Sequence, residues 1–212
     1  MRVFVLLPVK LSGAKTRLSN IFSGEDRAEL AFCMLEDVLD SLKGLEVVVI
    51  SPDDLRKKLD YDFHFIHEKK KRGLNSAVEQ ANSYAIDSGA DATLFVPADT
   101  PLIKKSHVKE ILRLGKKHKL IISPSRRGGT GILFRRPPDI IRGRFTNTSF
   151  EDHRKEAALQ GVKMHVYDSF SLSLDIDAPE DVQEFLLHGK GTKTYEFLIS
   201  RYPFQLPPHK NI

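Results

Sequence analysis

Short apolar runs alternate with segments of helical periodicity along almost the whole chain. Residues 3–7 are apolar without a break, which is typical of a strand buried on both faces of a parallel sheet. Ser23 and Asp26 resemble a capping box, and a helical pattern of apolar residues follows them as far as Gly44. The same criteria predict further strands at residues 46–50, 63–67, 93–96, 120–123, 132–134, 163–167 and 171–176, and further helices at residues 74–88, 106–118 and 149–161 and from Pro179 onward.

This alternation of strand and helix predicts an α/β fold in which a single mixed, mostly parallel sheet is sandwiched by helices. A chain of 212 residues is long enough for one such domain, and it shows no internal repeat. A compositional break after Leu187 indicates a domain at residues 1–188 and a C-terminal extension at residues 189–212. Because the extension carries several aromatic residues, we expect it to pack on the domain or on a dimer partner.

Composition narrows the class of partner. The net charge is +5 and the isoelectric point is about 9.2, which suits a nucleotide, a phosphorylated metabolite or a nucleic acid. The apolar run at residues 3–9 is too short to span a bilayer and is not followed by a cleavage site for a leader. The single cysteine, Cys33, lies in an apolar helix pattern that suits a buried thiol better than a reactive one. We therefore expect a cytoplasmic protein without a membrane partner.

The loop after the first predicted strand carries a cluster of cations. It contains Lys10, Gly13, Lys15 and Arg17, but neither a GxGxxG sequence nor a Walker lysine, so a dinucleotide fold and a P-loop are not supported. Backbone amides and long basic side chains together suit a triphosphate. Because ligands of open α/β sheets bind beyond the carboxyl ends of the strands, this position favours a phosphate-binding loop over a solvated basic loop.

Three aspartates follow predicted strands. Asp99 comes after residues 93–96 and lies between two prolines, where a carboxylate suits Mg²⁺ and where an Asx turn or a helix cap is the ordinary alternative. Asp175 and Asp177 lie at the end of the strand predicted at residues 171–176, and strand alternation would direct both to one face. Asp177 could instead cap the following helix.

Two further segments bear on ligand selection. Gly73 and Asn75 open a predicted helix after a basic stretch, so the Asn75 amide could meet a base edge or a ribose; the basic stretch itself is more typical of a solvated loop. Small polar residues cluster at positions 128–131 and 145–150. The second cluster opens a helix whose N-terminus suits an anion, with Ser149 as an N-cap, an anion ligand or both.

Taken in order, these motifs resemble those of the 2-phospho-L-lactate guanylyltransferases, which are GT-A-like, MobA-like nucleotidyltransferases of coenzyme F-420 biosynthesis. The resemblance extends over about residues 1–188 and rests on positions 8–18, 73–75, 97–101, 128–130 and 175–179. It implies the Rossmann-like fold of the nucleotide-diphospho-sugar transferases and a homodimer. It also implies transfer of GMP from GTP to (2S)-2-phospholactate or phosphoenolpyruvate, with release of pyrophosphate.

Site residues carried over from the family fall into three groups. The resemblance implies that Mg²⁺ is held by Asp99, Asp175 and Asp177, of which Asp99 acts in catalysis with Lys15 and Arg17. It implies that the acceptor contacts Thr130, Thr146 and Ser149. The residues expected at GTP are Lys10, Gly13, Lys15, Arg17, Gly73 and Asn75. Many family members have Phe-Gly followed by Gly-Ser-Phe where this chain has Phe145-Thr146 and Thr148-Ser149-Phe150, which alters how closely the backbone approaches the acceptor.

Other functions remain open on the sequence alone. A molybdenum-cofactor guanylyltransferase or a sugar-phosphate nucleotidylyltransferase would share the fold, but their first loop usually has a glycine-rich stretch that this chain lacks. A basic nucleic-acid-binding module would suit the charge, yet no aromatic RNP-like strand, zinc ligand set or recognition-helix pattern is present. A GTP-binding regulatory protein without catalysis is the third alternative. We expect GTP and a small phosphorylated carboxylic acid as partners, and no nucleic acid.

Overall fold

One sheet forms the centre of the molecule within residues 1–68 and 73–201, the part of the chain that the computed structural model describes. Its strands are β1 (Val3–Pro8), β2 (Glu46–Ser51), β3 (His64–His67), β4 (Ala92–Phe95), β5 (Leu120–Pro124), β6 (Thr130–Arg135) and β7 (Met164–Val166). Their order across the sheet is β3-β2-β1-β4-β6-β5-β7. Strand β6 runs antiparallel to both of its neighbours and all other pairs are parallel, so the predicted mixed, mostly parallel sheet is confirmed.

Helices cover both faces of the sheet. They are α1 (Gly24–Leu42), α2 (Leu74–Asp87), α3 (Lys105–Leu114), α4 (Ser149–Leu159), α5 (Phe170–Ser173), α6 (Pro179–His188) and α7 (Lys193–Arg201). In β1, Val5 and Leu7 pack into the apolar layer that contains α1, whereas Phe4 and Leu6 pack into the layer that contains α2. This alternation explains the unbroken apolar run of β1, since both of its faces are buried.

Helix α1 begins with the predicted capping box. The Asp26 amide donates to Ser23 Oγ at 3.1 Å, and the Ser23 amide donates to Asp26 Oδ2 at 3.3 Å. Helix α3 begins and ends earlier than the helix predicted at residues 106–118, since its N-cap is Lys104 and its last residue is Leu114. The Lys104 amide donates to His107 Nδ1 at 3.1 Å, so the imidazole three residues along satisfies the amide of the N-cap residue.

The strand predicted at residues 171–176 is wrong. Residues Phe170–Ser173 form α5, and the chain continues to α6 without pairing with the sheet. Leu172, Leu174 and Ile176 are all buried, so the period-two pattern reports burial and not strand pairing. The backbone of α5 crosses against β6, where a Cβ on Gly131 would lie 2.2 Å from the Leu172 carbonyl oxygen. A glycine at this point therefore permits the close approach.

The end of the described chain packs on its own domain. The Asp37 carboxylate of α1 accepts hydrogen bonds from the amides of Lys193 and Thr194, at 2.8 and 2.9 Å, and from the Thr194 hydroxyl at 2.6 Å. Phe197 and Leu198 of α7 are buried in the same layer as α1. Residues 202–212, which complete the predicted extension, lie outside the described part. In that part no helix combines the length and apolar character needed to cross a membrane.

Candidate active site

A cleft of about 470 Å³ opens at the carboxyl ends of β1 and β4. Asp99, Thr130, Thr146, Ser149, Asp175, Asp177, Arg17 and Arg127 are among the residues that line it. A hollow of about 260 Å³ shares Asp99 and Asp177 with the cleft and also contains Lys10 and Lys15. A larger groove of about 1150 Å³ lies between α2 and α4, but it contains neither these aspartates nor the loop cations. Predicted site residues from distant parts of the sequence therefore meet in the 470 Å³ cleft and the adjoining hollow, whereas Asn75 lines the larger groove.

Asp53, which follows β2, holds the loop after β1 in place. The Asp53 carboxylate accepts hydrogen bonds from the Leu11 and Ser12 amides, at 2.9 and 3.2 Å, and from the Ser12 hydroxyl at 2.5 Å. These two amides are thus engaged within the protein and do not face a ligand. Gly13 lies at φ 66, a conformation that glycine adopts without strain, and Lys10 is exposed.

Lys15 connects this loop to two of the predicted metal ligands. Its ammonium lies 2.5 Å from Asp99 Oδ2 and 2.6 Å from Asp177 Oδ1, and only 7% of its side chain is exposed. Its backbone lies at φ 53, which is unusual for a residue other than glycine. Burial alone would lower the pKa of Lys15, but the charges of Asp99 and Asp177 outweigh it and raise that pKa. The carboxylates thus form a pocket that holds a positive charge.

Neither Asp99 nor Asp177 is the N-cap of the helix that follows it, and both carboxylates pair with Lys15 instead. Asp177 is not the N-cap of α6, since Asp181 accepts the amides of Asp177 and Ala178 at 2.9 and 2.7 Å. The Asp99 carboxylate is held by Lys15, while its carbonyl accepts the Ile176 amide at 3.2 Å and joins the two acidic segments. Burial would raise the pKa of Asp177, but Lys15 and then Arg17 hold that pKa below its ordinary value.

Asp175 is the least satisfied acid of the cleft. Its Oδ1 is buried without a hydrogen-bond partner in the described part of the chain, and the nearest cation, Arg127 Nη1, is 4.0 Å away. Burial, followed by repulsion from Asp99 and Asp177, raises the pKa of Asp175 to about 6. A buried carboxylate oxygen without a partner costs free energy, and a bound cation would remove that cost.

The three predicted acceptor residues reach the cleft in different ways. Ser149 is buried as the first residue of α4, after its N-cap Thr148, and its hydroxyl has no hydrogen bond to the described residues. The Thr146 hydroxyl donates to Asp152 and accepts the Thr148 amide at 3.1 Å, so it caps α4. The Thr130 hydroxyl contacts His153 Nδ1 at 3.0 Å.

The start of α4 offers fewer free amides than its sequence suggests. The amides of Thr148, Ser149 and Phe150 donate to Thr146 Oγ1, to the Thr146 carbonyl and to the Gly128 carbonyl, respectively. The expected anion site at this helix end therefore depends on hydroxyl groups more than on the backbone.

Gly73 and Asn75 lie at the start of α2, close to the acceptor side. Gly73 is the N-cap, at φ 87. The Asn75 amide nitrogen donates to the Phe145 carbonyl at 3.0 Å, and the Phe145 amide donates to Asn75 Oδ1 at 2.7 Å. Asn75 therefore fixes the loop that carries Thr146, and both atoms of its side-chain amide are already used.

Several site residues could not be found from the sequence. Arg127 donates from Nη2 to both carboxylate oxygens of Asp181, each at 2.7 Å, and fastens the glycine-rich turn to α6. Asp53 and His153 anchor the two ligand loops. The partners of Arg127 and Asp53 lie 54 and 42 positions away in the sequence, those of His153 lie 9 and 23 positions away, and none of these pairs has a recognisable spacing. Only the abundance of polar residues at strand exits pointed to these regions.

Comparison with known proteins agrees with this geometry. Residues 2–210 match the family described as "Guanylyl transferase CofC like". The 2-phospho-L-lactate guanylyltransferase of Methanocaldococcus jannaschii is 38% identical over 205 residues, which cover 94% of this chain and 89% of the relative. That of Methanocaldococcus fervens is 40% identical over 199 residues, covering 92% and 89%.

Solved structures share the fold at lower identity. A Desulfovibrio desulfuricans protein assigned to the nucleotide-diphospho-sugar transferases superposes with a TM-score of 0.76 at 19% identity, covering 94% of this chain and 95% of that one. The CTP complex of CMP:2-keto-3-deoxy-manno-octonic acid synthetase gives a TM-score of 0.57 at 10% identity, covering 87% and 96%. The chain is a nucleotidyltransferase and belongs to the CofC-like guanylyltransferase family.

Proposed function

We propose that the cleft binds GTP and a small phosphorylated carboxylic acid, (2S)-2-phospholactate or phosphoenolpyruvate, and transfers GMP to the acid's phosphate. The observation that carries this proposal is the ammonium of Lys15, held by Asp99 and Asp177 beside an open cleft. Such a carboxylate pair holds positive charge where a triphosphate would enter. The two relatives, 38% and 40% identical to this chain, are named 2-phospho-L-lactate guanylyltransferase, which supports this acceptor.

Magnesium fits the acidic side of the cleft. Asp175 has a buried oxygen without a partner, and Asp99 and Asp177 already surround a cation. Among the described residues, no three acidic, histidine or cysteine side chains form a group that could hold a metal ion. Two carboxylates of the cleft, together with phosphate oxygens of the bound nucleotide, would therefore form the site. Bound there, the ion would neutralise phosphate charge and stabilise the leaving pyrophosphate.

The basic loop would bind the triphosphate. Arg17 is 67% exposed, lines the cleft and lies 4.0 Å from Asp177 Oδ2, so its guanidinium can turn toward a phosphate. Lys15 would leave the carboxylates and neutralise phosphate oxygens when the nucleotide enters. Gly73 and Asn75 are not among the residues that line the cleft, and Asn75 lines the larger groove instead. We propose that Asn75 contributes to a preference for GTP through the loop that it holds.

The reaction needs no covalent enzyme intermediate. An oxygen of the acceptor phosphate would attack the α-phosphorus of GTP, and the bond to the leaving pyrophosphate would break as the new P–O bond forms. Both partners are anions, and two unit charges about 4 Å apart repel by roughly 4 kcal/mol at an effective dielectric near 20. Lys15 and Arg17 on one side, and hydroxyl donors on the other, would offset this repulsion.

A split of Michaelis constants tests the placement of the two substrates. Ser149→Ala should raise the KM for (2S)-2-phospholactate about tenfold, because a hydrogen bond to a charged group is lost, and should leave the KM for GTP nearly unchanged. Arg17→Met should raise the KM for GTP. Pyrophosphate release gives both constants. If Ser149→Ala raised only the KM for GTP, the proposed position of the acceptor in the cleft would be wrong.

Assembly and location form a separate part of the proposal. We propose a homodimer, as the family resemblance implies, and a cytoplasmic location. Support for a second copy comes from exposed apolar side chains, since Leu159 of α4 is 82% exposed and Val166 of the edge strand β7 is 45% exposed. Light scattering that gives a 24.0 kDa particle at micromolar concentration would refute the dimer.

A further inference from the structure

A buried histidine joins the two elements that carry the proposed acceptor residues. His153 of α4 has no exposed surface. Its Nδ1 lies 3.0 Å from Thr130 Oγ1 at the start of β6, and its Nε2 accepts the Arg144 amide at 2.8 Å. The ring also packs edge-on against Phe145, with 5.1 Å between the ring centroids. The histidine thus contacts both the strand and the loop of the acceptor side.

The hydrogen bonds determine which nitrogen carries the proton. A backbone amide can only donate, so Nε2 must be unprotonated where it meets Arg144. The proton of the neutral ring is therefore on Nδ1, which donates to Thr130 Oγ1. Because Thr130 receives this bond, the proton of its own hydroxyl is directed elsewhere, and Thr130 lines the cleft. The result is a hydroxyl that presents a donor to an anion.

Burial, more than the surrounding charges, keeps the His153 ring neutral. Burial, followed by the charge of Arg135, lowers the pKa of His153 to about 4, and Asp152, the Ser149 backbone and Glu156 oppose this only in part. Arg144, whose amide meets Nε2, pairs with Glu156 at 2.9 Å and so does not face the ring with an uncompensated charge. The tautomer described above therefore persists across the neutral pH range.

We propose that His153 is a positioning residue that fixes the Thr130 hydroxyl as a hydrogen-bond donor to the anionic acceptor. The proposal rests on the acceptor site described under the proposed function. It makes His153 a determinant of acceptor affinity although the ring is buried and touches no substrate. A hydroxyl that already accepts one hydrogen bond is also a better donor, so the ring strengthens the contact as well as orienting it.

Two substitutions separate the two nitrogens of the ring. In His153→Asn the amide nitrogen takes the place of Nδ1, which preserves the donor to Thr130 and removes the acceptor for Arg144. In His153→Gln the amide oxygen takes the place of Nε2, which preserves the acceptor for Arg144 and removes the donor to Thr130. We expect the KM for (2S)-2-phospholactate to rise roughly three- to tenfold in His153→Gln and to stay within about twofold in His153→Asn.

Two controls distinguish the possible failures. Thr130→Val should raise the acceptor KM about tenfold, and adding His153→Gln to it should raise that constant no further, because the histidine acts through the hydroxyl. His107→Gln removes a ring that also accepts a backbone amide, at 3.1 Å from Lys104, but lies outside the cleft; it should leave both Michaelis constants unchanged. GTP constants and melting temperatures are measured for every variant.

Each outcome decides one point. If Thr130→Val leaves the acceptor KM unchanged, the proposed acceptor site is wrong whatever His153 does. If Thr130→Val raises that constant but His153→Gln does not, the positioning role is wrong and the acceptor site stands. Equal increases in His153→Asn and His153→Gln, following their losses in melting temperature, would show that the ring serves only the packing of α4 and would overturn the proposal.

Discussion

Replacing Lys15 by methionine removes the cation on which the acidic side of the cleft depends. The methionine keeps most of the apolar stem, which is almost wholly buried, so packing changes little. What is lost is the ammonium that lies 2.5 Å from Asp99 and 2.6 Å from Asp177. The two carboxylates, with Asp175 beside them, then repel one another, and only the more distant Arg17 and Arg127, each 4.0 Å from one of the aspartates, compensate their charge.

The size of the effect follows from how buried the partners are. Removing one member of a fully buried ion pair costs about 3–5 kcal/mol, whereas exposed pairs contribute about 1 kcal/mol or less. Asp99 and Asp177 are 29% and 33% exposed, so water can reach them after the lysine is lost. We therefore expect the free energy of unfolding to fall by about 2–3 kcal/mol in the absence of metal, between these two limits.

Urea unfolding at pH 7.5 in the presence of a chelator measures this loss. The control is Lys10→Met, which removes a cation from the same loop at an exposed position without a hydrogen bond or ion pair to the described residues. It should cost no more than about 0.5 kcal/mol. Millimolar Mg²⁺ should restore part of the stability of Lys15→Met and change the wild type less. If the two variants lose the same free energy, the ammonium does not hold the carboxylates and the reasoning fails.

Three further outcomes follow from the structure. Asp99→Asn should lower turnover more than about tenfold at saturating Mg²⁺ with the fold intact, and a smaller loss by pyrophosphate release would remove Asp99 as a metal ligand. Between pH 6.5 and 4 the unfolded chain binds more protons at His153 than the folded one, whose pKa there is about 4, so His153 by itself should lower the free energy of unfolding by up to about 3 kcal/mol as pH drops, while Asp175, whose pKa is raised to about 6, acts in the opposite direction. The wild type should therefore lose more free energy of unfolding than His153→Asn over this range in denaturant titrations, and equal changes in the two proteins would contradict the role of His153. Gly131→Ala, whose Cβ would clash with the Leu172 carbonyl oxygen, should cost more in melting temperature than Gly24→Ala, whose Cβ would meet only the Arg27 side chain at 3.9 Å; equal costs would argue against the close crossing at β6.

The fold could be predicted where local signals and burial agree. The apolar run of β1 and the capping box of α1 both appear as expected, because each depends on residues close together in the sequence. Residues 171–176 could not be predicted. Their alternating burial is the pattern of a strand, but the segment is a helical turn followed by an extended connection. This conformation goes with the close packing of Leu172 against Gly131, a contact between distant residues that no local pattern records.

The site, like the fold, contains some residues that the sequence could predict and others that it could not. The strand exits that carry Lys15 and Asp99 could be chosen from the sequence because ligands of open α/β sheets bind there. The choice of Asp177 rests on a predicted strand that is a helical turn, yet the structure brings the three side chains together. The partners that hold these loops, Asp53 and His153, could not be chosen. Each acts on a backbone amide or hydroxyl of a distant segment, and no local pattern records such a contact.

The central claim is that this cleft transfers GMP from GTP to a phosphorylated three-carbon acid. The most direct test incubates the purified chain with Mg²⁺, GTP and (2S)-2-phospholactate and identifies the products by mass spectrometry, with Asp99→Asn as the matched inactive control. We predict lactyl-2-diphospho-5'-guanosine and pyrophosphate in equal amounts, with GTP used in preference to ATP. No such product from (2S)-2-phospholactate or phosphoenolpyruvate, with nucleotide transfer to a sugar phosphate or a molybdenum cofactor instead, would contradict the account.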